Sequence, residues 1–443
     1  MSYPSDRSVG KYFLVSKGDL LIGNVSTPAL ARKYGTPFFV YDKNTIDKKL
    51  DALRQALPSN FEVCYSVKAN PNQTILRHFL GRNCPLEVAS GGELYQALSA
   101  GCDPSRIFFA GPGKTETELE FAISHGIGEI HLESFAEATR VSAIARKRET
   151  RVNVAVRVNP AGSAEGGAMR MGGRPAAFGI DEELLGQMIR PLLADPMFVF
   201  RGIHIFAGTQ ILDASILIEQ YRHGLDLARE ASQLAGAPLH TVDFGGGLGI
   251  PYFAQERELD LDRLQAGLAE LFTGIAGDSA FAGTHFFVEP GRFLVGEAGI
   301  YVARVIDVKV SRGKKFVVLD GGMNHHLAAS GNLGQTIKRN YPVSILNKMD
   351  SAAEESVDVV GPLCTPLDTL ARSVLLPSAE IGDFVGIFQS GAYGRSASPL
   401  GFLSHQAPAE VWVDEGEDCL IRRRGEYADH LRDQLSAVPA GNF

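Results

Sequence analysis

From residue 61 to about 298, short apolar runs alternate with stretches of helical spacing. The runs are FEVCYSV (61–67), PLEVAS (85–90), RIFFAG (106–111), EIHLES (129–134), VNVAVRV (152–158), GIHIFAG (202–208), HTVDFG (240–245) and THFFVEP (284–290). Between them, GGELYQALSAG and KTETELEFAISHG place apolar residues on one helical face, with glycine just past the end. Strand–helix alternation predicts parallel strands in βαβ units. Eight such strands over about 240 residues predict a (β/α)8 barrel across 43–298. The competitor is an open doubly wound sheet, but the glycine-rich first turn of a dinucleotide-binding fold is absent.

After residue 298 the period drops to two. GIYVARVIDVKVSRGKKFVVLDGGMN alternates and turns at Arg312-Gly313, and GDFVGIFQSGAYG and PAEVWVDEGEDCLIRRRGE read as further strands. The fold class is therefore α/β plus β, a barrel followed by a mostly β domain over 299–443. The strand-like YFLVSKGDLLIGNVS and PFFVYD, within 1–42, are expected to join that second domain. The final SAVPAGNF reads as a loose tail, and no internal repeat appears.

Composition narrows the class. A chain of 443 residues, 45% hydrophobic and 21% charged, can bury large cores. A formal charge of −8 argues against a general nucleic-acid binder. No apolar run would span a bilayer, and MSYPSDRSVGKYF has no apolar signal core, so a cytoplasmic location is expected. The five cysteines form no Cys-x-x-Cys pair and no zinc spacing. Cys64, Cys84, Cys102 and Cys419 are expected to be inert buried thiols, and no metal site is expected.

The active site of a (β/α)8 barrel lies at the C-terminal ends of its strands. The first run ends CYSVKAN. Burying a lysine ammonium is costly unless it is paired, but a lysine amine can form a Schiff base; a snorkelling side chain is the plain alternative for Lys68. Other strand ends carry Glu133, Arg157 with Asn159, and His204 with Phe206 and Thr209. DFGGGLGI follows its strand with Gly245, Gly246 and Gly247. Three glycines let backbone N–H groups approach a phosphate, although a tight βα turn would need them too. VEPGRF places Glu289 at the last strand end with Arg292 beyond, as a site pair or a surface ion pair. A lysine, a phosphate loop and a carboxylate on one rim point to pyridoxal phosphate (PLP).

With these motifs the chain resembles the PLP-dependent decarboxylases of the alanine-racemase fold, which include diaminopimelate, ornithine and arginine decarboxylases. The resemblance covers nearly the whole sequence. It implies that Lys68 of YSVKAN holds the cofactor covalently. It also implies that Gly245, Gly246 and Gly247 bind the phosphate, and that Glu289 of EPGR meets the pyridine nitrogen, with Gly291 and Arg292 beside the cofactor. Thr209 falls where the family has a phosphate-binding serine, and Tyr393 of GAYG matches a tyrosine near the phosphate. Cys364 of GPLC matches a catalytic cysteine that reaches a neighbouring subunit's site. A head-to-tail homodimer with shared sites is therefore implied.

Departures bear on the substrate. The acid that follows the family's cysteine is Thr365 here. The segment DGGMNHHLAASGNLGQ carries Asp320, His325 and His326 but no arginine where diaminopimelate decarboxylases bind a distal carboxylate. A ring-covering histidine is replaced by Phe206, with His204 two residues earlier. HHLAASGNLGQ, GGAMRMGGRPAAFGID and GAYGRSASPLGFLSH are similar to a subgroup with carrier-linked substrates, including the butirosin-type glutamyl-carrier-protein decarboxylase and exosortase-associated enzymes. Arg157, Arg170, Arg174, Asp320, His325, His326 and Thr365 are the expected substrate-facing residues, Arg170 and Arg174 on a loop that could close over the site and meet an anionic tail. As neighbours on a strand, His325 and His326 would point oppositely, which argues against metal. The open alternatives are diaminopimelate decarboxylase, a siderophore decarboxylase acting on a citryl-linked amino acid, an amino-acid racemase, and a non-catalytic binding protein like antizyme inhibitor.

Overall fold

The computed structural model describes residues 9–161, 169–170, 175–206, 208–335 and 337–435, with no side-chain description for 169 and 170. The expected tail, Arg174 and the side chain of Arg170 therefore lie outside the described residues. Two compact units form: Asp47–Pro251 with Gln255–Val295, and Met1–Ile46 with Tyr252–Ala254 and Gly296–Phe443. Among the described residues, no helix is long and apolar enough to cross a membrane.

The first unit is the expected parallel barrel. Its strands are Phe61–Val63 with Tyr65–Ser66, Leu86–Val88, Ile107–Phe109, Glu129–Leu132, Val152–Asn159, Phe198–Ile205, Thr241–Asp243 and His285–Val288. The first strand closes the ring by serving two neighbours. Phe61–Val63 pairs with His285–Val288, and Tyr65–Ser66 pairs with Leu86–Val88. The change of partner falls at Cys64, whose N–H donates to Val288 O at 2.8 Å. Inside, Cys64, Phe108 and Phe287 pack as one cluster from the first, third and eighth strands. Strands covered on both faces need few polar positions, which is why the runs read as continuous apolar segments.

The connecting helices start and stop on local signals. Glu116–His125 opens on a Thr115–Glu118 capping box and closes on Gly126 at φ 63°. Gly91–Ser99 and Phe135–Lys147 are capped by the Ser90 and Ser134 side chains. These caps fix where each helix begins above its strand, and so where the intervening loop side chains stand on the rim.

The second unit is mostly β. Its central strand, Gly299–Ser311, pairs along its first half with Phe38–Asp42 and Phe384–Ile387, and along its second half with Lys314–Leu319. The turn at Arg312-Gly313 has φ 51° and 82°, the two positive values a tight hairpin turn needs. Phe38–Asp42 is inserted between Gly299–Ser311 and Ala409–Asp414. The earlier strands Leu14–Ser16, Asp19–Ile22 and Val25–Ser26 form a separate three-stranded sheet instead of extending the large one. Leu20 and Ile22 nevertheless pack in one core with Phe38, Val40, Ile300, Val302 and Val411.

Candidate active site

Lys68 lies in the single 3-10 turn Val67–Ala69 that ends the first strand. Its Nζ is 3.2 Å from Glu87 Oε2, and the Ser66 hydroxyl donates to the same carboxylate. Ser66 and Glu87 face each other across the first and second strands. The lysine is neither a snorkelling end group nor deeply buried: its side chain is 45% exposed while Glu87 is 2% exposed. The amine is thus held against a buried carboxylate on a side chain that is half exposed as a whole.

The glycine loop is built by close approach. A Cβ on Gly245 would lie 2.7 Å from Ile205 O, and one on Gly246 would lie 2.8 Å from Glu289 O. Gly245 and Gly247 also hold φ 64° and 101°, which favours glycine. The loop is tied to the rim by Glu289 N–H donating to Gly245 O at 2.7 Å and Ile211 N–H to Gly247 O at 2.9 Å. Thr209 stands beside it in Gly208–Thr209, which pairs with Met169–Arg170, Met169 opposite Thr209 and Arg170 opposite Gly208. Gly291 belongs to the same construction. A Cβ there would lie 2.7 Å from Ala69 Cβ, so the glycine lets the EPGR turn, from which Arg292 opens the short helix Arg292–Val295, seat against the Lys68 turn.

Beneath the rim lies a chain of buried ionisable groups. His204 Nε2 is 3.3 Å from Glu289 Oε2, and His204 Nδ1 is 2.9 Å from His131 Nδ1. Asp243 packs against Glu289 and accepts Gly245 N–H at 2.7 Å. Burial and the adjacent Glu289 carboxylate push Asp243 well above the ordinary carboxylate range. Burial also opposes charge on Glu289, but the His204 and His131 imidazoles and the Asp243 hydrogen bond hold it well below its ordinary value. The two neighbouring carboxyls are thus driven apart, Asp243 upward and Glu289 downward. The donor atoms of His131, His204, Asp243 and Glu289 lie within 4.8 Å of one another.

His204 is locked in this chain, 2% exposed, and does not cover a rim. Phe206 does. A Cβ on Gly245 would sit 2.9 Å from the Phe206 ring, and the Arg157 guanidinium lies 5.7 Å from its centroid. His204, expected beside the cofactor, stands next to Glu289, its Nδ1 bonded to His131 and its Nε2 within ion-pair distance of the Glu289 carboxylate. Arg157 is likewise engaged, at 2.8 Å from Glu133, which also accepts Gly111 and Gly179 N–H. Burial pushes Glu133 up, but the Arg157 and Lys114 charges and these hydrogen bonds leave it below the usual range.

In the β unit, three expected substrate residues are otherwise employed. His325 and His326 are buried in a turn, where Gly322 O accepts both of their N–H groups; they are not on a strand. His325 Nδ1 meets Tyr301 Oη at 3.1 Å and His326 Nε2 meets Ser390 Oγ at 2.8 Å. Burial pulls both histidines down to about 3, so they are neutral core groups. Asp320 accepts from Thr36 Oγ1 and, at 2.9 Å, from Arg304 N–H on the central strand. Tyr393 is half-buried in the Gly391–Gly394 turn at φ 53°, a conformation costly for a side-chain-bearing residue.

Cys364 is exposed. Its loop is held by Asp368, which accepts Met323 N–H at 2.6 Å and Leu363 N–H at 2.9 Å. Thr365 Oγ1 accepts Leu367 N–H at 3.3 Å. Of the other thiols, Cys64, Cys84 and Cys102 are buried, with burial pushing Cys84 up to about 11 and Cys102 to about 12. Cys419 is exposed on an edge strand, not buried as expected. Glu87, His131 and Asp243 were not singled out from the sequence. The signal was there: a charged or imidazole side chain inside the apolar runs LEV, EIHL and TVD.

The site fits PLP in its donor set: a half-open lysine, a three-glycine cradle that a Cβ would fill, and a buried carboxylate whose Oε1 receives no N–H from the protein. Residues 43–296 match the family model for the pyridoxal-binding domain of pyridoxal-dependent decarboxylases. The chain is 37% identical over 410 residues to the L-glutamyl-[BtrI acyl-carrier protein] decarboxylase of Niallia circulans, covering 92% of this chain and 95% of that one. It is 34% identical over 430 residues to the diaminopimelate decarboxylase of Methanothermobacter thermautotrophicus, covering 96% and 97%. The crystal structure of the M. jannaschii diaminopimelate decarboxylase with L-lysine matches with a TM-score of 0.86 at 27% identity, over 96% and 98% of the two chains.

Proposed function

The chain belongs to the pyridoxal-dependent decarboxylases, and from that premise we propose that it removes the α-carboxylate of an L-amino acid tethered through an acyl link, such as a glutamyl thioester on a carrier protein. The observation that carries this reading is the state of the segment after Cys364. A decarboxylase of free diamino acids needs an anion for the distal ammonium. Thr365 offers a hydroxyl already accepting a turn N–H, and Asp368 is buried and spent on two backbone N–H groups. An ammonium facing a neutral hydroxyl forfeits a charge-assisted hydrogen bond of roughly 1.5–3 kcal/mol, about tenfold to a hundredfold in binding. The similarity to the glutamyl-carrier-protein decarboxylase supports the same assignment.

Bound PLP would supply an electron sink for the pair left at Cα when the bond to CO2 breaks. The chain's own residues do the rest. Lys68 would hold the cofactor covalently and yield its place to the substrate amine. The Gly245–Gly247 amides, with Thr209 and Arg292, would bind the phosphate. Glu289 would keep the pyridine nitrogen protonated, and Phe206 would cover a ring face and exclude water. Cys364 from a neighbouring copy in a head-to-tail dimer would deliver the proton to Cα.

The test is a comparison of kcat/KM for glutamyl thioester on a carrier protein against free lysine, ornithine and meso-diaminopimelate. The tethered substrate is expected to be favoured by at least about tenfold. Turnover of free meso-diaminopimelate matching that of the tethered substrate would return the protein to a free diamino acid.

A further inference from the structure

All four ring nitrogens of His131 and His204 face polar atoms. The two Nδ1 atoms face each other at 2.9 Å. His204 Nε2 is 3.3 Å from Glu289 Oε2, and His131 Nε2 is 3.3 Å from Glu129 Oε1. The rings are buried, tilted against each other with centroids 4.5 Å apart. A neutral imidazole carries one N–H and one lone pair. Two neutral rings bring two protons to four nitrogens and leave a defect wherever these are put. Either two Nδ1 lone pairs confront each other, or an Nε2 lone pair confronts a carboxylate. Three protons avoid both clashes: one sits between the Nδ1 atoms, and one on each Nε2 stands within ion-pair distance of a carboxylate, 3.3 Å away in each case, without a hydrogen bond.

We propose that His131 and His204 together hold one positive charge between Glu129 and Glu289, and that His131 is thereby a positioning residue for Glu289. The surroundings favour this arrangement. Glu129, at the far end, also accepts from Thr241 Oγ1 at 2.9 Å and lies 3.9 Å from Arg201. Beside Glu289, burial and that carboxylate push Asp243 up, and burial and these carboxylates push up the Cys64 thiol that faces them from the first strand. Arg157, on the fifth strand, adds positive charge near His204 but is matched by Glu133. Both rings are buried, so the pair shares the charge, and in either sharing His204 sets an Nε2–H 3.3 Å from Glu289. Removing His131 would remove the cation that lets Glu289 remain ionised among buried acids, and would free His204 to take the other tautomer.

The inference rests on the proposed place of Glu289 at the pyridine nitrogen, but the proton count is independent of any substrate. It is read by NMR of the 15N-histidine-labelled holoenzyme at pH 8, where exposed histidines are neutral. The expected spectrum contains one imidazolium pattern coupled to a second ring, and that pattern is lost in His131→Gln. The glutamine keeps a neutral donor for His204 Nδ1 but removes the charge, so the acid limb of kcat and of the cofactor's visible absorbance should move to higher pH by about one unit, with KM changed less than about twofold. Eleven neutral rings in the wild-type spectrum would overturn the proposal, as would an unmoved acid limb and absorbance midpoint in folded His131→Gln. If that variant does not fold, the wild-type spectrum decides. Full turnover by Glu289→Gln would instead sink the role given to Glu289 and leave the proton count standing.

Discussion

Lys68 Nζ and Glu87 Oε2 stand 3.2 Å apart across the join of the first and second barrel strands. Because Lys68 is half exposed, water screens the pair, and its worth to stability is under about 1 kcal/mol. What the buried carboxylate supplies is aim, and the Ser66 hydroxyl that also donates to it fixes that aim. Glu87→Gln keeps the shape and removes the charge. Thermal unfolding should move by no more than about 2 °C, while covalent capture of PLP, followed by visible absorbance, should slow by about tenfold. An unchanged capture rate would show that Lys68 is oriented by something else.

Gly291 has no room for a side chain. Its Cβ would lie 2.7 Å from Ala69 Cβ and 3.2 Å from Ser66 Cβ, and these residues flank Lys68. Gly291→Ala must therefore part the EPGR turn from the lysine turn. Overpacking of this kind costs about 1–3 kcal/mol. The expected outcome is a lowered Tm together with a reduced PLP content per chain. Loss of stability with full cofactor content would mean that the two turns can separate without moving Lys68.

Glu133 joins the fifth strand and two loops of the rim, through Arg157, Gly111 and Gly179. Burial opposes its charge, but Arg157 and the other donors win and hold its folded value below the ordinary 4.5. A carboxylate depressed on folding adds stability that is present above its unfolded value and is lost as the pH falls through its folded value. Urea unfolding of the wild type should therefore weaken from about pH 5 downward. Glu133→Gln should be less stable at pH 7 and show a shallower fall across that window. Parallel curves for the two proteins would remove Glu133 from the acid limb.

The barrel was legible because its strands are buried on both faces: runs such as IFF (107–109) are apolar throughout, and the following helices carry caps at Thr115 and Ser134 and a glycine stop at Gly126. The lysine and glycine segments were legible because their chemistry is local. The lower layer was not. His131, His204, Asp243 and Glu129 meet only through register, His204 opposite Asp243 on adjacent strands and His131 reaching His204 from two strands away. The pair His325 and His326 misled in the opposite direction. Adjacent histidines draw attention in a sequence, but tertiary packing against Tyr301 and Ser390 makes them core.

Cys364 supplies the last test. It is exposed on a loop that Asp368 braces through Met323 and Leu363, so the fold spends a buried acid on presenting an exposed thiol. Such a thiol can protonate Cα only if it stands at a barrel rim, and the proposed head-to-tail dimer assigns it to the neighbouring copy's rim. Lys68→Ala and Cys364→Ala should then each be inactive alone. After dissociation and remixing in equal amounts, half of the dimers are mixed, and each mixed dimer has one site with both Lys68 and Cys364 intact. Activity should recover to about a quarter of the wild type. Asp368→Asn, which weakens the brace but keeps the thiol, should lower kcat more than it raises KM, because the proton donor loses its position while the barrel's binding groups stay in place. No recovery on remixing, with subunit exchange verified by mass, would place Cys364 outside a shared site.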